Sequence, residues 1–210
     1  MKLKKSVQKK GKIVLLIIII FVILACGFLI YKRFFVKDNK PNKVKIEEKI
    51  DDYGYVLEEN ESKLYKDLFK ELIKTLNKDE IEGEKYASLV AELLVVDFYN
   101  LDNKISKNDI GGVQFIKSEY QENFALEASE TVYKYIEHNI YGNREQELPV
   151  VSKVEVVDVE KTTYRYNDIV DDNTYKVNVK LEYEKDLGYP SNVTVVLIHN
   201  DKKLEVIKMY

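Results

Sequence analysis

Few side chains in this sequence have the type and spacing that chemistry needs. Glu92 and Asp97 are the main acids in residues 84–100, a segment otherwise dominated by Tyr86, Ala87, Leu89, Val90, Ala91, Leu93, Leu94, Val95, Val96 and Phe98. A carboxylate against a dry wall holds its proton more tightly and can serve as a general base near neutral pH. On a helix, Glu92 shares a narrow stripe with Ser88 and Lys85, which is where such a helix meets water. Asp97 is turned away from that stripe by about 140° at about 100° per residue. Two roles are therefore open to Asp97: facing a polar cavity, or capping a neighbouring backbone near the helix end.

The other candidates have simpler uses. A metal site built on His138 and His199 would need two distant positions to converge with a carboxylate; surface positions are expected for both. Gly111-Gly112 could cradle an anion but reads as a turn. Asp168, Asp171 and Asp172 lack the spacing and the glycine of a calcium loop and read as a solvated hairpin tip. There is no Walker-type phosphate loop, HExxH pair, GxSxG elbow or CxxC. No catalytic, cofactor-binding or metal-ligating residue is assigned, no cofactor is expected, and the balance leans away from an enzyme.

The first 45 residues differ sharply from the rest. Six lysines lie within residues 2–12, and residues 13–31 carry no charge. At the helical rise this run spans about 28 Å, the depth of one hydrocarbon core. Six more basic residues and one acid, Asp38, follow in residues 32–45. The expected organisation is a cytoplasmic basic tail (1–12), a transmembrane helix (13–31), a basic stem (32–45) and an extracytoplasmic domain (46–210). Lys and Arg on the two flanks are equal in number, so orientation rests on the short tail remaining inside. The stretch Ile23-Leu24-Ala25-Cys26-Gly27 resembles a lipobox, but Phe28-Leu29-Ile30-Tyr31 continues the apolar run where a lipid-modified cysteine would open a polar tether. A lipoprotein starting at Cys26, the only cysteine, and a simply cleaved signal peptide are the alternatives to an uncleaved anchor.

Of 33 basic and 36 acidic residues, the first 45 take 12 and one, leaving 21 against 35, a domain charge of −14. Such a field repels phosphate backbones, so direct nucleic-acid binding by residues 46–210 is not expected. With 165 residues the domain can bury about two thirds of its unfolded surface and needs no disulfide.

The elements follow from periodicity, after a mixed stretch over 46–60 that offers a short strand or turn at Tyr53-Gly54-Tyr55-Val56-Leu57. Leu64, Leu68, Leu72 and Leu76 recur every four residues and predict an amphipathic helix over 61–76. Asp79 and Glu82 have capping-box spacing ahead of a buried central helix over 84–100. A third helix is expected over 118–141 on the stripe Phe124, Ala128, Val132 and Ile136, with Gly142-Asn143 as its stop. Beyond Pro149 the period falls to two: Tyr175, Val177, Val179, Leu181 and Tyr183 alternate with polar residues. Strands are expected over 151–166, with a bulge at Val156-Val157, and over 193–199 and 203–209, joined at Asn200-Asp201. The expected fold is thus α+β: an N-terminal transmembrane helix, then about three helices packed on a curved antiparallel sheet of about four strands.

Helices followed by a bent antiparallel sheet resemble the cone-shaped fold of the nuclear transport factor two-like superfamily. A short tail, one membrane helix and one such domain outside the cytoplasm look like the inner-membrane scaffold subunits of type IV secretion and conjugation systems. The resemblance covers residues 14–210 in element order and carries no residue-level motif. It implies a membrane-anchored scaffold or interaction module of a bacterial envelope assembly, with the bilayer, other envelope proteins or a second copy as partners. The alternative is an extracytoplasmic ligand-binding or enzymatic domain that uses a cone-shaped cavity. The 16 tyrosines, with no tryptophan, suit interfaces or pockets but equally a core rim whose hydroxyls reach water.

Overall fold

The computed structural model describes residues 45–210 apart from 167 and 168. The tail, the expected membrane-spanning helix and nearly all of the stem lie outside the described residues, as does Asp168. The described part contains three α-helices and two antiparallel sheets. This corrects the expected architecture of a transmembrane helix followed by three helices on a single four-stranded sheet. A second, two-stranded sheet precedes the helices, and among the described residues no helix is long and apolar enough to cross a membrane.

The additional sheet is a hairpin of β1 (Ile46–Ile50) and β2 (Tyr55–Glu58). Gly54, at φ 71°, takes the left-handed step of its turn. The signal for β1 is weak because its residues are almost all exposed, so no alternation of apolar side chains marks it. Its partner is anchored from inside: Tyr55 and Leu57 are fully buried.

Helix α1 (Lys63–Leu76) starts at Ser62, whose hydroxyl accepts from the Tyr65 amide at 3.2 Å. It buries Tyr65, Phe69, Leu72 and Leu76, and leaves Leu64 and Leu68 at the margin of the core. Helix α2 (Gly83–Tyr99) is buried nearly all round, because α1 packs on one side of it and the large sheet on the other. The capping box expected at its start is absent: Glu82 makes no capping bond and pairs instead with Lys78 at 2.6 Å.

Helix α3 (Gln121–Glu130) is much shorter than its stripe suggests. The helix stops at Thr131, and Tyr133 turns inward with its amide bonded to the Ala128 carbonyl at 2.9 Å. Burying the Tyr133 ring completely takes precedence over continuing the helix, and Ile136 reaches the core from a turn. Periodicity alone cannot distinguish a fourth helical turn from a chain that returns to the same wall.

The large sheet is a meander of β3 (Val151–Tyr166), β4 (Ile169–Tyr183), β5 (Asn192–Asn200) and β6 (Lys203–Met209), in that spatial order. The β3–β4 register shifts between Val156 and Asp158, leaving Val157 out of the ladder and 64% exposed. Tyr175, Val177, Val179 and Leu181 face the core, while Tyr183 is only half-buried. The β5–β6 turn places Asp201 at φ 54°, a conformation Asp tolerates better than most residues.

One edge of this sheet is closed by tyrosine. The Tyr55 hydroxyl donates to the Leu204 carbonyl at 2.9 Å, and the Leu204 amide donates to the Tyr86 oxygen at 3.0 Å. The remaining Tyr86 hydrogen therefore goes to the Tyr55 oxygen, 2.8 Å away, and both buried hydroxyls are satisfied. Lys117 continues this cover by donating its amide to the Val206 carbonyl at 2.9 Å. The small sheet is thereby locked onto β6, across most of the domain's length in sequence.

Leu94 is fully buried on α2 and lies against Gly112. Leu94→Ala should lower unfolding free energy by about 2–5 kcal/mol in chemical denaturation, through lost transfer energy and the cavity left behind.

Candidate functional site

The richest polar arrangement lies where α2 ends. Asp97 is on its last turn, and a 3₁₀ turn over Leu101–Asn103 brings the chain back so that the Lys104 amide bonds to the Leu101 carbonyl at 3.1 Å. That turn delivers the Lys104 ammonium to Oδ1 of Asp97, with both side chains buried. Oδ2 of Asp97 accepts the Gly112 amide at 2.6 Å. Both roles open to Asp97 in the sequence are thus filled together: the carboxylate holds a neighbouring backbone, and it lines a polar cavity of about 380 Å³.

Gly111-Gly112 is a turn built around this carboxylate. Gly112 has φ 77°, and a Cβ on Gly111 would collide with the Asp97 backbone carbonyl. The Gly111 amide donates to the Tyr133 hydroxyl at 3.1 Å, which in turn donates to the Phe98 carbonyl at 2.7 Å. Both glycine amides are therefore committed to protein acceptors rather than turned toward an anion.

Glu58 and Glu61 line the same cavity from the hairpin side, and Asp109 lines it from the loop. Burial pushes the Glu61 carboxyl up to about 7, with Asp97 adding to the rise, Lys104 opposing it, and Glu58 and Asp109 adding further. Glu58 is raised by burial and by Asp97. Burial works against the Lys104 charge, but Asp97 and Glu61 more than offset it, so the ammonium keeps its proton well above the ordinary lysine range. Glu58 and Glu61 were not singled out in the sequence. Their signal, a Glu-rich run just before a helix, is indistinguishable there from a solvated turn.

The other sequence candidates do not converge here. His138 is exposed on the chain that follows α3. His199 is exposed on β5, where its amide donates to Asp171 at 2.8 Å and its Nδ1 lies 3.3 Å from the same oxygen. Asp171 and Asp172 sit within β4 rather than at the hairpin tip, and Asp171 also accepts the Asn173 amide at 2.8 Å. Among the described residues, no group of three or more His, Cys, Asp or Glu side chains could hold a metal ion.

A second concavity, of about 400 Å³, is lined by apolar side chains together with Asn123, Glu127, Thr131 and Lys208. Phe98, Tyr99, Phe124 and Val132 face Ile207 and Met209 of β6 across it. From α3 onward the chain carries the exposed apolar side chains Leu126, Tyr135, Ile140 and Tyr141, each at least half accessible. Tyr183, by contrast, gives its hydroxyl to the Pro190 carbonyl at 2.7 Å and packs along the core margin.

Comparison of this chain with protein-family models, with curated proteins and with solved structures finds no match.

Glu92 is half-buried on α2, and burial raises its carboxyl to about 7, against the pull of Lys85 and with a further push from Glu71. A folded-state value above the unfolded one means the native state binds the extra proton, so stability falls as pH rises from the ordinary carboxylate range through 7. Glu92→Gln should therefore stabilise the protein at about pH 8 and change little at about pH 4, read as thermal melting across that range.

Proposed function

We propose that this chain is a membrane-tethered interaction module that acts as a scaffold in a bacterial envelope assembly, with its domain outside the cytoplasm. The observation that carries the reading is the set of exposed apolar side chains Leu126, Tyr135, Ile140 and Tyr141, with Tyr135 at 77% and Tyr141 at 69% exposure. Binding energy in protein interfaces concentrates in a few desolvated aromatic anchors, and large aromatics standing in water are raw material for such anchors. The domain core is filled by Tyr55, Phe69, Phe115, Leu89 and Leu93 among others, all fully buried.

The tether is argued from the basic tail and the charge-free run 13–31. The likeness to secretion-system scaffold subunits is supported by that tether and by helices preceding the four-stranded meander. The β1–β2 hairpin ahead of the helices departs from the element order on which the likeness was based.

A second reading, a small-ligand domain, is favoured by the polar cavity that Asp97 lines. The two readings place sensitivity in different residues. Asp97→Asn does not separate them, because it leaves a buried ammonium without its counter-charge and damages the fold under either reading.

The scaffold reading predicts that Tyr135→Ser/Tyr141→Ser leaves thermal melting unchanged but reduces recovery of the native-size complex from membranes by about tenfold or more. It predicts that Glu58→Gln and Asp109→Asn leave that complex intact. The opposite pattern would reject the scaffold reading in favour of the cavity.

A further inference from the structure

Between α3 and β3, residues 131–150 form no helix or strand, yet the segment is braced from within. Arg144, whose side chain is 2% exposed, donates through Nη1 to the Lys104 carbonyl at 2.8 Å and through Nη2 to the Asp102 carbonyl at 2.6 Å. Its own amide donates to Oδ1 of Asn139 at 3.1 Å. Asn139 in turn donates its amide to the Ile105 carbonyl at 2.8 Å. Gln146 brackets the chain on the other side, accepting the Glu137 amide at 2.9 Å and donating to the Tyr135 carbonyl at 2.8 Å. A segment without regular structure is thereby held in one shape against the connection that follows α2.

The side chains that this bracing presents do not suit a solvated turn. The Gly142 amide bonds to the Asn139 carbonyl at 3.1 Å and closes a tight turn, with Gly142 at φ 68°. Its two corner positions, where Gly, Pro, Asn, Asp and Ser predominate, are Ile140 and Tyr141, both at least half exposed. A loop fixed beforehand loses less freedom when a partner covers it, so the bracing favours binding by these side chains. The charges they stand among are acidic. Glu137 and Glu145 are exposed and have no ion pair among the described residues, whereas Glu147 is taken by Lys185. Lys134 is the one exposed lysine or arginine of the segment, and its ammonium already lies over the Tyr135 ring, 5.3 Å from the centroid.

We propose that residues 135–145 are a preformed recognition loop for a basic surface of another protein. Tyr135, Ile140 and Tyr141 supply the apolar anchors, and Glu137 and Glu145 supply counter-charges for the partner's lysines or arginines. The inference rests on the interaction-module reading above and names the chemistry of its partner. Tyrosine rings add to the attraction, since their faces draw cations. The whole domain works in the same direction: residues 46–210 carry a charge of −14, which steers a basic partner in from a distance. The same charge opposes two other occupants, a second copy of the domain and a surface of anionic lipid headgroups.

The test is recovery of the native-size complex, in mild detergent, from membranes that carry the full-length chain. Raising salt from about 0.05 M to about 0.5 M should cut wild-type recovery about tenfold, because screening weakens the charge contacts. At low salt Glu137→Lys/Glu145→Lys should cut it about as much with thermal melting unchanged, and Glu137→Gln/Glu145→Gln should cut it less. Asp79→Lys/Glu80→Lys makes the same change of net charge on the exposed α1–α2 connection and should have little effect. The basic partner is rejected if recovery is indifferent to salt and to the loop charges, or if the remote pair acts equally. It is also rejected if Glu137→Lys/Glu145→Lys raises recovery, which would mark an anionic partner such as lipid headgroups. A complex that re-forms at native size from the purified chain alone rejects it in favour of a second copy. Loss of recovery in Tyr135→Ser/Tyr141→Ser without any charge effect sinks this inference and leaves the scaffold reading standing; no effect of either pair sinks both.

Discussion

The buried pair of Asp97 and Lys104 is the constraint on which the middle of the domain depends. An apolar helix such as α2 gains by being enclosed on every side, but its C-terminal end must still hand the chain back toward the surface. Asp97 performs that transfer with two oxygens. One holds the ammonium that arrives after the 3₁₀ turn, and the other holds the amide of Gly112. Tyr133 binds the same turn from the opposite side through Gly111 and the Phe98 carbonyl. Three separated stretches of chain are thereby fixed to the last turn of one helix. Desolvating two charges is costly, and the cost is offset only where the geometry satisfies the remaining donors and acceptors. Here a glycine amide satisfies the carboxylate oxygen that lysine leaves free.

The same junction shapes the polar cavity. Because Lys104 is committed to Asp97, the acids of the hairpin corner face a wall whose one positive charge is already paired. The aromatic features lie elsewhere, along the chain that leaves α3 and in the groove beside β6. The concavity beside β6 and the polar cavity share no lining residue.

What the sequence revealed follows from how each element is exposed. The core helix, the long β3 strand with its Val157 bulge, and the alternation from Tyr175 to Leu181 were legible because each has a single dry face and a fixed period. The β1 strand was hidden because it is nearly all exposed, whereas the short strand or turn offered over 53–57 is the turn and β2 of the same hairpin. The end of α3 was misplaced because Ile136 lies on the helical stripe yet reaches the core from a turn, after Tyr133 is drawn inward. At the site, Asp97 stood out as an acid in an apolar segment. Lys104 did not, since a lysine in an Asn- and Asp-rich connection reads as solvated until the 3₁₀ turn folds it back. Glu61 was missed for the same reason: its neighbours across the cavity are distant in sequence.

The most direct measurement is a double-mutant cycle on the full-length chain, with Asp97→Asn, Lys104→Met and the double variant compared in urea denaturation. Each single change should cost about 3–5 kcal/mol, because it strands a buried partner. The double variant should be less destabilised than the sum by about 2 kcal/mol or more, the coupling expected of groups in direct contact. Additivity within about 0.5 kcal/mol would contradict the account, since the two charges would then be independent and the junction would not rest on their pairing.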